Sequence, residues 1–352
     1  MRRNTSRLNL DTRGTPMKKL LILPIMAGLS LPSLALQPIL DPGFNGIVNL
    51  GGSTGEIETN FLSQVDGINI DLGDDRIDSF DNPESESLTM GVTNFDVGYT
   101  LASGKTRFSL GNDFQDFIEF DRTMRIAVRH DFDSLGSMKL AGLVPPGLAT
   151  KVYSDPYQTD VKRSDTDMEV SGARFTWDRI LQSNFETVLT YKNIDIDNEH
   201  SGRALGLNKH ERNLLKRDGD VLRFEVGYKF TLNDRNTLRP SIAYIDRDLD
   251  GDAMSQDGGI IDLTHVYKSD SLVWLNKLSY ADMSGDKTNP IFDKKNDADI
   301  YGITSVMSFP GSIGFLGKWT PNIAVSWADS DSDIDFNESS IWMVSAALSR
   351  KF

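Results

Sequence analysis

The densest set of potential ligands in the sequence is Asp246-Arg247-Asp248-Leu249-Asp250-Gly251-Asp252, followed by Asp257. Carboxylates at positions one, three and five, a glycine at six and a carboxylate at twelve follow the spacing of a calcium loop. Alternate side chains there converge on one cation, and the glycine lets the chain turn sharply. Asp246, Asp248, Asp250, Asp252 and Asp257 are therefore candidate Ca2+ ligands. The flanks, 238–245 and 260–266, alternate like strands rather than the helices of an EF-hand, and Asp257 reaches less far than the usual Glu. A solvated acidic loop is the competing reading. The stretches Asp71 to Asp81 and Asp329 to Asp335 carry acid without a glycine at the turning position and read as solvated loops.

A second set is basic. Arg107, Arg125, Arg129, Lys139, Arg174, Lys192, Arg223, Lys229 and Arg239 fall on the polar parity of alternating segments, against Asp96, Glu186 and Glu225. Basic side chains along a pore wall attract anions, and a low-dielectric wall focuses the field. Arg adds a planar fork suited to carboxylate, sulfate or phosphate. The competing reading is a structural ladder whose charges neutralise one another. Catalytic signals are thin. His130 and His265 fall on the apolar parity near turn ends, and His200 and His210 lie in a long polar stretch. A hydrolase would need one of these gathered with carboxylates at a rim.

The elements that must position these residues are strands. Leu222-Phe224-Val226-Tyr228-Phe230 and Trp342-Val344-Ala346-Leu348 have a period of two, and the latter pattern runs to the terminal Phe352. Similar runs recur in pairs joined by short turns, at 102–105, 133–136, 178–183 and 233–236. Between the pairs lie long polar stretches, roughly 52–91, 113–121, 145–167, 193–219, 246–258, 282–297 and 329–338. Short turns on one side and long loops on the other are the asymmetry of an outer-membrane barrel. The spacing predicts an all-β protein: a transmembrane, antiparallel, up-and-down β-barrel of about fourteen strands, with twelve to sixteen allowed. Tyr99, Phe108, Trp177, Phe185, Phe230, Phe309, Trp319 and Phe352 fall beside the turns. Tyr191, Tyr244, Tyr280, Tyr301, Trp327 and Trp342 fall beside the loops. Two such belts suit the two lipid–water interfaces. Asn276 fits poorly, because its parity faces lipid.

Export is expected from the amino terminus. Met17-Lys18-Lys19 is basic, Leu20 to Leu31 is apolar, and Ser33-Leu34-Ala35 is a small-x-small cleavage site. The expected organisation is an upstream extension over 1–16, a signal peptide over 17–35 and a barrel over 36–352. Of 37 Lys and Arg and 51 Asp and Glu, six and one precede Leu36, so the mature charge is near −19. That balance argues against nucleic acid as a partner. With no cysteine in the chain, no disulfide framework is needed.

Pro42-Gly43-Phe44-Asn45-Gly46, the Asp246 to Asp257 stretch and the carboxy-terminal strand give the chain a resemblance. It resembles an uncharacterised family of outer-membrane proteins from marine and enteric-type gammaproteobacteria, across the whole mature chain. The resemblance implies location and fold, and carries no catalytic residues. More loosely, the basic inner face is similar to monomeric channels that pass acidic saccharides. The expected function is a porin-like channel for small hydrophilic solutes with anion preference, and not an enzyme. The alternatives are a closed barrel whose loops bind a partner, or lipopolysaccharide through calcium, and, third, a barrel hydrolase. Expected partners are outer-membrane lipid, lipopolysaccharide, small solutes and the assembly machinery that engages the strand ending at Phe352.

Overall fold

In the computed structural model, the described residues are 41–65, 70–112, 123–145, 150–311 and 317–352. The expected signal peptide and upstream extension, and the stretch 113–121, lie outside them.

The chain is built of strands in sequence order. β1 (Gly43–Glu58) is followed by the short β2 (Leu62–Val65) and β3 (Ile70–Asp71). Then come β4 (Ser85–Thr100), β5 (Thr106–Gly111), β6 (Met124–Asp131), β7 (Ser137–Val144), the short β8 (Thr150–Tyr153), β9 (Asp165–Asp178) and β10 (Phe185–Ile196). The rest are β11 (Gly219–Tyr228), β12 (Phe230–Asn233), β13 (Asn236–Leu249), β14 (Gln256–Lys268), β15 (Val273–Gly285), β16 (Ala298–Ser308), β17 (Trp319–Ser332) and β18 (Ser339–Lys351). β11 and β12 both pair with β13 and act as one strand of the wall. Among the described residues this gives a closed, antiparallel barrel of 14 strands.

β18 closes the barrel by pairing with β1, in register from Ile47↔Lys351 to Glu58↔Ser340. Closure leaves no edge in lipid, where unpaired backbone groups would be costly. The seam is tight on one side. A Cβ on Gly55 would lie 1.9 Å from the Trp342 carbonyl oxygen, so only glycine fits there.

Alternation sorts the side chains as the sequence predicts. Phe224, Ile126, Leu140, Ile242 and Ile261 face outward and are exposed, while Arg223, Ala127, Ala141 and Asp262 face inward and are buried. Both aromatic belts hold outward positions. In the outer belt Tyr191 donates to Asp220 at 2.8 Å, Tyr280 to Asp299 at 2.6 Å and the Trp342 indole N–H to Glu56 at 3.0 Å. These bonds satisfy the polar ends of the rings at the interface. Asn276 is accommodated on the outer face: Trp274 donates to Ser305 at 2.8 Å, and Ser305 donates to Asn276 at 2.9 Å.

The strands reach further into the loop side than the sequence suggests. β1 continues to Glu58, β13 to Leu249 and β17 to Ser332, and β4 begins at Ser85. Polar residues in these ends sit on a wall that rises above the membrane, where polarity no longer opposes strand pairing.

Candidate functional site

The interior is divided into two halves along the barrel axis. The half near the short turns is polar and charged, and the half near the long loops is apolar.

In the polar half, basic side chains on the buried parity of the strands pair with acids and hydroxyls. Arg107 and Arg125 converge on Asp96. Arg223 donates to Glu225 at 2.7 Å, and Arg239 bridges Glu225, also at 2.7 Å, and Glu186. Arg129 donates to Ser137 at 3.0 Å and Arg174 to Thr190 at 3.1 Å. Lys192 is buried on the same face, with Lys139 and Lys229 half-buried. Register places Arg107 opposite Arg129, and Arg129 opposite Lys139, in one row across β5, β6 and β7. Like charges directly opposite one another weaken a strand pair, so the row is kept at some cost in stability.

Two members of this network were not picked out from the sequence. Asp262 accepts from Lys277 at 3.1 Å and from Ser279 at 2.6 Å, and lies 3.5 Å from Arg223. Asp262 sits on the parity opposite Ile261 and Leu263, and Lys277 on the parity opposite Leu278 and Tyr280, so the alternation already contained the signal. The ladder is thus partly self-neutralised: Asp96, Glu186, Glu225 and Asp262 each hold at least one of the basic groups.

The opposite side of the same half is lined by small and amide side chains. Gly51 is exposed on the inner face, and Asn49, Asn94, Asn322 and Ala347 are partly exposed there. Asn49 donates to Asn94 at 3.0 Å, and Asn94 donates to the Asn112 carbonyl at 2.9 Å. This stretch of the inner wall, between the turn side and the barrel's middle, is partly solvent-accessible.

The loop-side half is closed. Inward residues of the upper wall, among them Leu88, Val170, Ile245, Ile260, Ile300 and Met343, form one apolar cluster with Phe61, Leu72, Tyr157, Leu215, Met254 and Phe336 from the loops. The loops therefore fold into the outer mouth as a plug. Phe336 is fully buried, with ring centroids 5.1 Å from Tyr157 and 5.7 Å from Phe61, Phe80 and Phe292. Arg163 and Arg217 tie the plug's polar backbone. Arg163 donates to the Asn60 carbonyl at 3.0 Å, and Arg217 donates to the Tyr153 carbonyl at 2.6 Å while pairing with Glu199 at 2.7 Å. Burial pushes the Glu199 carboxyl up, but Arg217 and the bonds from Ser201 together outweigh it, so the carboxyl is held below the usual range.

The calcium-like spacing is spent on a hairpin. Asp246 and Asp248 lie in β13 and Asp257 in β14, with Asp246 directly opposite Asp257. Asp250 faces Lys216 at 3.5 Å, and Asp252 pairs with Lys287. The five carboxylates do not converge, and among the described residues no group of three or more acidic, His or Cys side chains could hold a metal. The Asp329 to Asp335 stretch is likewise not a free loop. Asp329 and Asp331 belong to β17, and Asp335 adjoins the buried Phe336.

His130 meets Thr106 at 2.7 Å and His265 meets Asn236 at 2.9 Å, both near the short turns. His200 Nδ1 lies 2.8 Å from Ser154 Oγ, but that hydroxyl donates its proton to the Asn198 carbonyl at 2.5 Å. The imidazole then donates to Ser154 rather than activating it, which is the wrong polarity for a nucleophile and its base.

The family model described as "Protein of unknown function (DUF2860)" matches residues 43–350. The chain belongs to that family. No curated protein matches it. Similar solved structures include the outer membrane channel DcaP of Acinetobacter baumannii, at 8% identity over 89% of this chain and 100% of that one, with a TM-score of 0.42. Others are a TodX monoaromatic hydrocarbon channel mutant (11% identity, 90% and 92% covered, TM-score 0.45) and a Pseudomonas aeruginosa FadL homologue (9%, 88% and 90%, 0.41).

Proposed function

We propose that the protein is a gated outer-membrane channel, delivered by a cleaved amino-terminal signal, that passes small hydrophilic solutes with a preference for anions. The observation that carries this reading is the pairing of a polar, Arg-rich lumen with an apolar plug confined to one end. Buried ion pairs stabilise a protein less well than apolar packing of the same volume. This chain has apolar side chains for a core and concentrates them in the outer half. A lumen walled with Arg, Lys, Glu and Asn suits water and hydrophilic solute, as in other membrane barrels with polar interiors. The cationic row Arg107, Arg129 and Lys139 supplies the sign of the preference.

Planar-bilayer recording under a salt gradient tests it. Wild type should conduct, with a reversal potential on the anion side. Replacing Arg107, Arg129 and Lys139 with Gln should move that potential toward cations. The shift should shrink at high salt, where the Debye length falls to about 3 Å at 1 M. A folded, heat-modifiable triple mutant with unchanged reversal potential would remove the anion preference. Absence of conductance under all conditions would favour the closed barrel instead, an outcome that the outer plug makes concrete.

A further inference from the structure

The outer plug is held by ties between loops that share no strand. Its rings come from four loops: Phe61 and Phe80 from 59–84, Tyr157 from 154–164, Phe292 from 286–297 and Phe336 from 333–338. Polar bonds join the same loops. Asn60 donates to the Phe336 carbonyl at 3.2 Å, Lys294 to the Asp333 carbonyl at 2.5 Å, and Asn82 to the Glu338 carboxyl at 3.1 Å. Glu338 is therefore both a tie to the longest described loop and a near neighbour of the central ring, two residues away. Only 9 % of it is exposed.

Its surroundings are acidic on almost every side. Asp335 lies in its own loop, and Asp329 and Asp331 lie on β17. Glu58 ends β1 and accepts from Ser340 at 3.1 Å, and Asp81 precedes Asn82. The cation facing it is Lys294, which also lies 3.9 Å from Asp335.

We infer that the plug is a proton-operated latch, a proposal that rests on the channel reading above: docking of the 333–338 loop takes up a proton at Glu338, so the outer mouth is held shut in acid and loosened in alkali. With its proton, the carboxyl still accepts from Asn82 through its carbonyl oxygen and adds no charge to the cluster. Without it, a carboxylate sits among Asp329, Asp331 and Asp335 with only Lys294 to offset them, and leaving the site for water relieves both burial and repulsion.

Burial, followed by Asp335, Asp331 and Asp329, pushes the Glu338 carboxyl up to about 7 in the docked plug, with Lys294 opposing. In the displaced loop it would return to the ordinary glutamate value of roughly 4.3. The sign follows from proton uptake. The docked state binds the proton more tightly, so docking gains as pH falls through about 7 and gains nothing further below the ordinary range.

Hydrogen exchange of the full-length, membrane-reconstituted protein tests the latch without relying on conductance. The reporters are the amides of Asn337 and Glu338, which donate to Ile334 and Asp335. Protection factors, with the chemical pH dependence of exchange divided out, should be about thirtyfold higher at pH 5.5 than at pH 8 in wild type. Glu338→Gln keeps the acceptor for Asn82 without the charge and should be protected equally at both pH values. Asn82→Ala should lower protection at both while keeping the pH dependence. Equal wild-type protection at the two pH values, or wild-type pH dependence retained in Glu338→Gln, would overturn the latch. Recording conductance on the same proteins separates the two ideas. A pH-dependent plug in a barrel that never conducts sinks the channel and keeps the latch, and conduction with pH-independent protection does the reverse.

Discussion

Phe352 and Gly46 exchange both backbone hydrogen bonds: the Gly46 N–H donates to the Phe352 carbonyl at 3.0 Å, and the Phe352 N–H donates to the Gly46 carbonyl at 3.1 Å. The last residue of the chain thus completes the seam with the first strand, and its ring stands exposed toward lipid in the turn-side belt. The approach is close, since a Cβ on Gly46 would fall 3.1 Å from the Phe352 ring.

Deleting Phe352 removes two backbone bonds, each with a net contribution of about 0.5–1.5 kcal/mol, and one interfacial ring. Twelve residue pairs of the β1–β18 ladder remain, so the finished barrel should keep most of its stability. Insertion should slow if the assembly machinery engages the strand that ends at Phe352, as proposed from its sequence. Pulse-chase conversion to the heat-modifiable form measures it. Wild-type kinetics in the deletion would mean that Phe352 has no part in assembly.

Phe336→Ala tests whether plug and wall are separate cooperative units. Removing a fully buried Phe from a packed core costs roughly 3–5 kcal/mol. Four rings around Phe336 lose their common partner, while every wall strand keeps its ladder. The variant should remain heat-modifiable, its 333–338 loop should become sensitive to added protease on intact cells, and its conductance should rise. Loss of the folded barrel would show instead that the plug is needed for the wall.

The wall was legible in the sequence because period-two alternation is local. Each Arg of the lumen could be placed by counting from an apolar neighbour such as Leu222 or Phe224. Asp262 and Lys277 follow the same count and were missed only because they stand singly in their strands. The plug was not legible. Phe61, Phe80, Tyr157, Phe292 and Phe336 are scattered singly or in pairs through polar stretches, with no period to connect them. What joins them is closure of the barrel, which brings loops as much as 250 residues or more apart in sequence over one mouth, as in the bond from Asn60 to Phe336. The Asp246 to Asp257 spacing reads differently once the backbone is known. Strand pairing continues to Leu249 and resumes at Gln256, so Asp246 and Asp257 stand opposite each other on a hairpin instead of following one another round a single loop.

The Glu199–Arg217 pair should respond to acid in the opposite sense to Glu338. Both side chains are buried, and they meet at 2.7 Å where the 197–218 loop joins the plug. Burial raises the Glu199 carboxyl, but Arg217 and the bonds from Ser201 outweigh it and leave it below its ordinary value. A depressed carboxylate stabilises the folded loop fully above the ordinary glutamate range, roughly 4.3, and the contribution is lost as pH falls through the lowered value. Protonation would also leave Arg217 buried without its counter-charge, a costly state. Amides of the 197–218 loop should therefore keep constant protection from neutral pH to about 5 and lose it in stronger acid. Glu199→Gln, which cannot ionise, should already lack that protection at neutral pH and show no further acid loss. Arg217→Met should behave differently. It removes the main group opposing burial, which then lifts the Glu199 carboxyl, so the sign inverts: protection should be lost as pH rises rather than as it falls. If both variants retained wild-type protection and its acid profile, the pair would not be what anchors this loop.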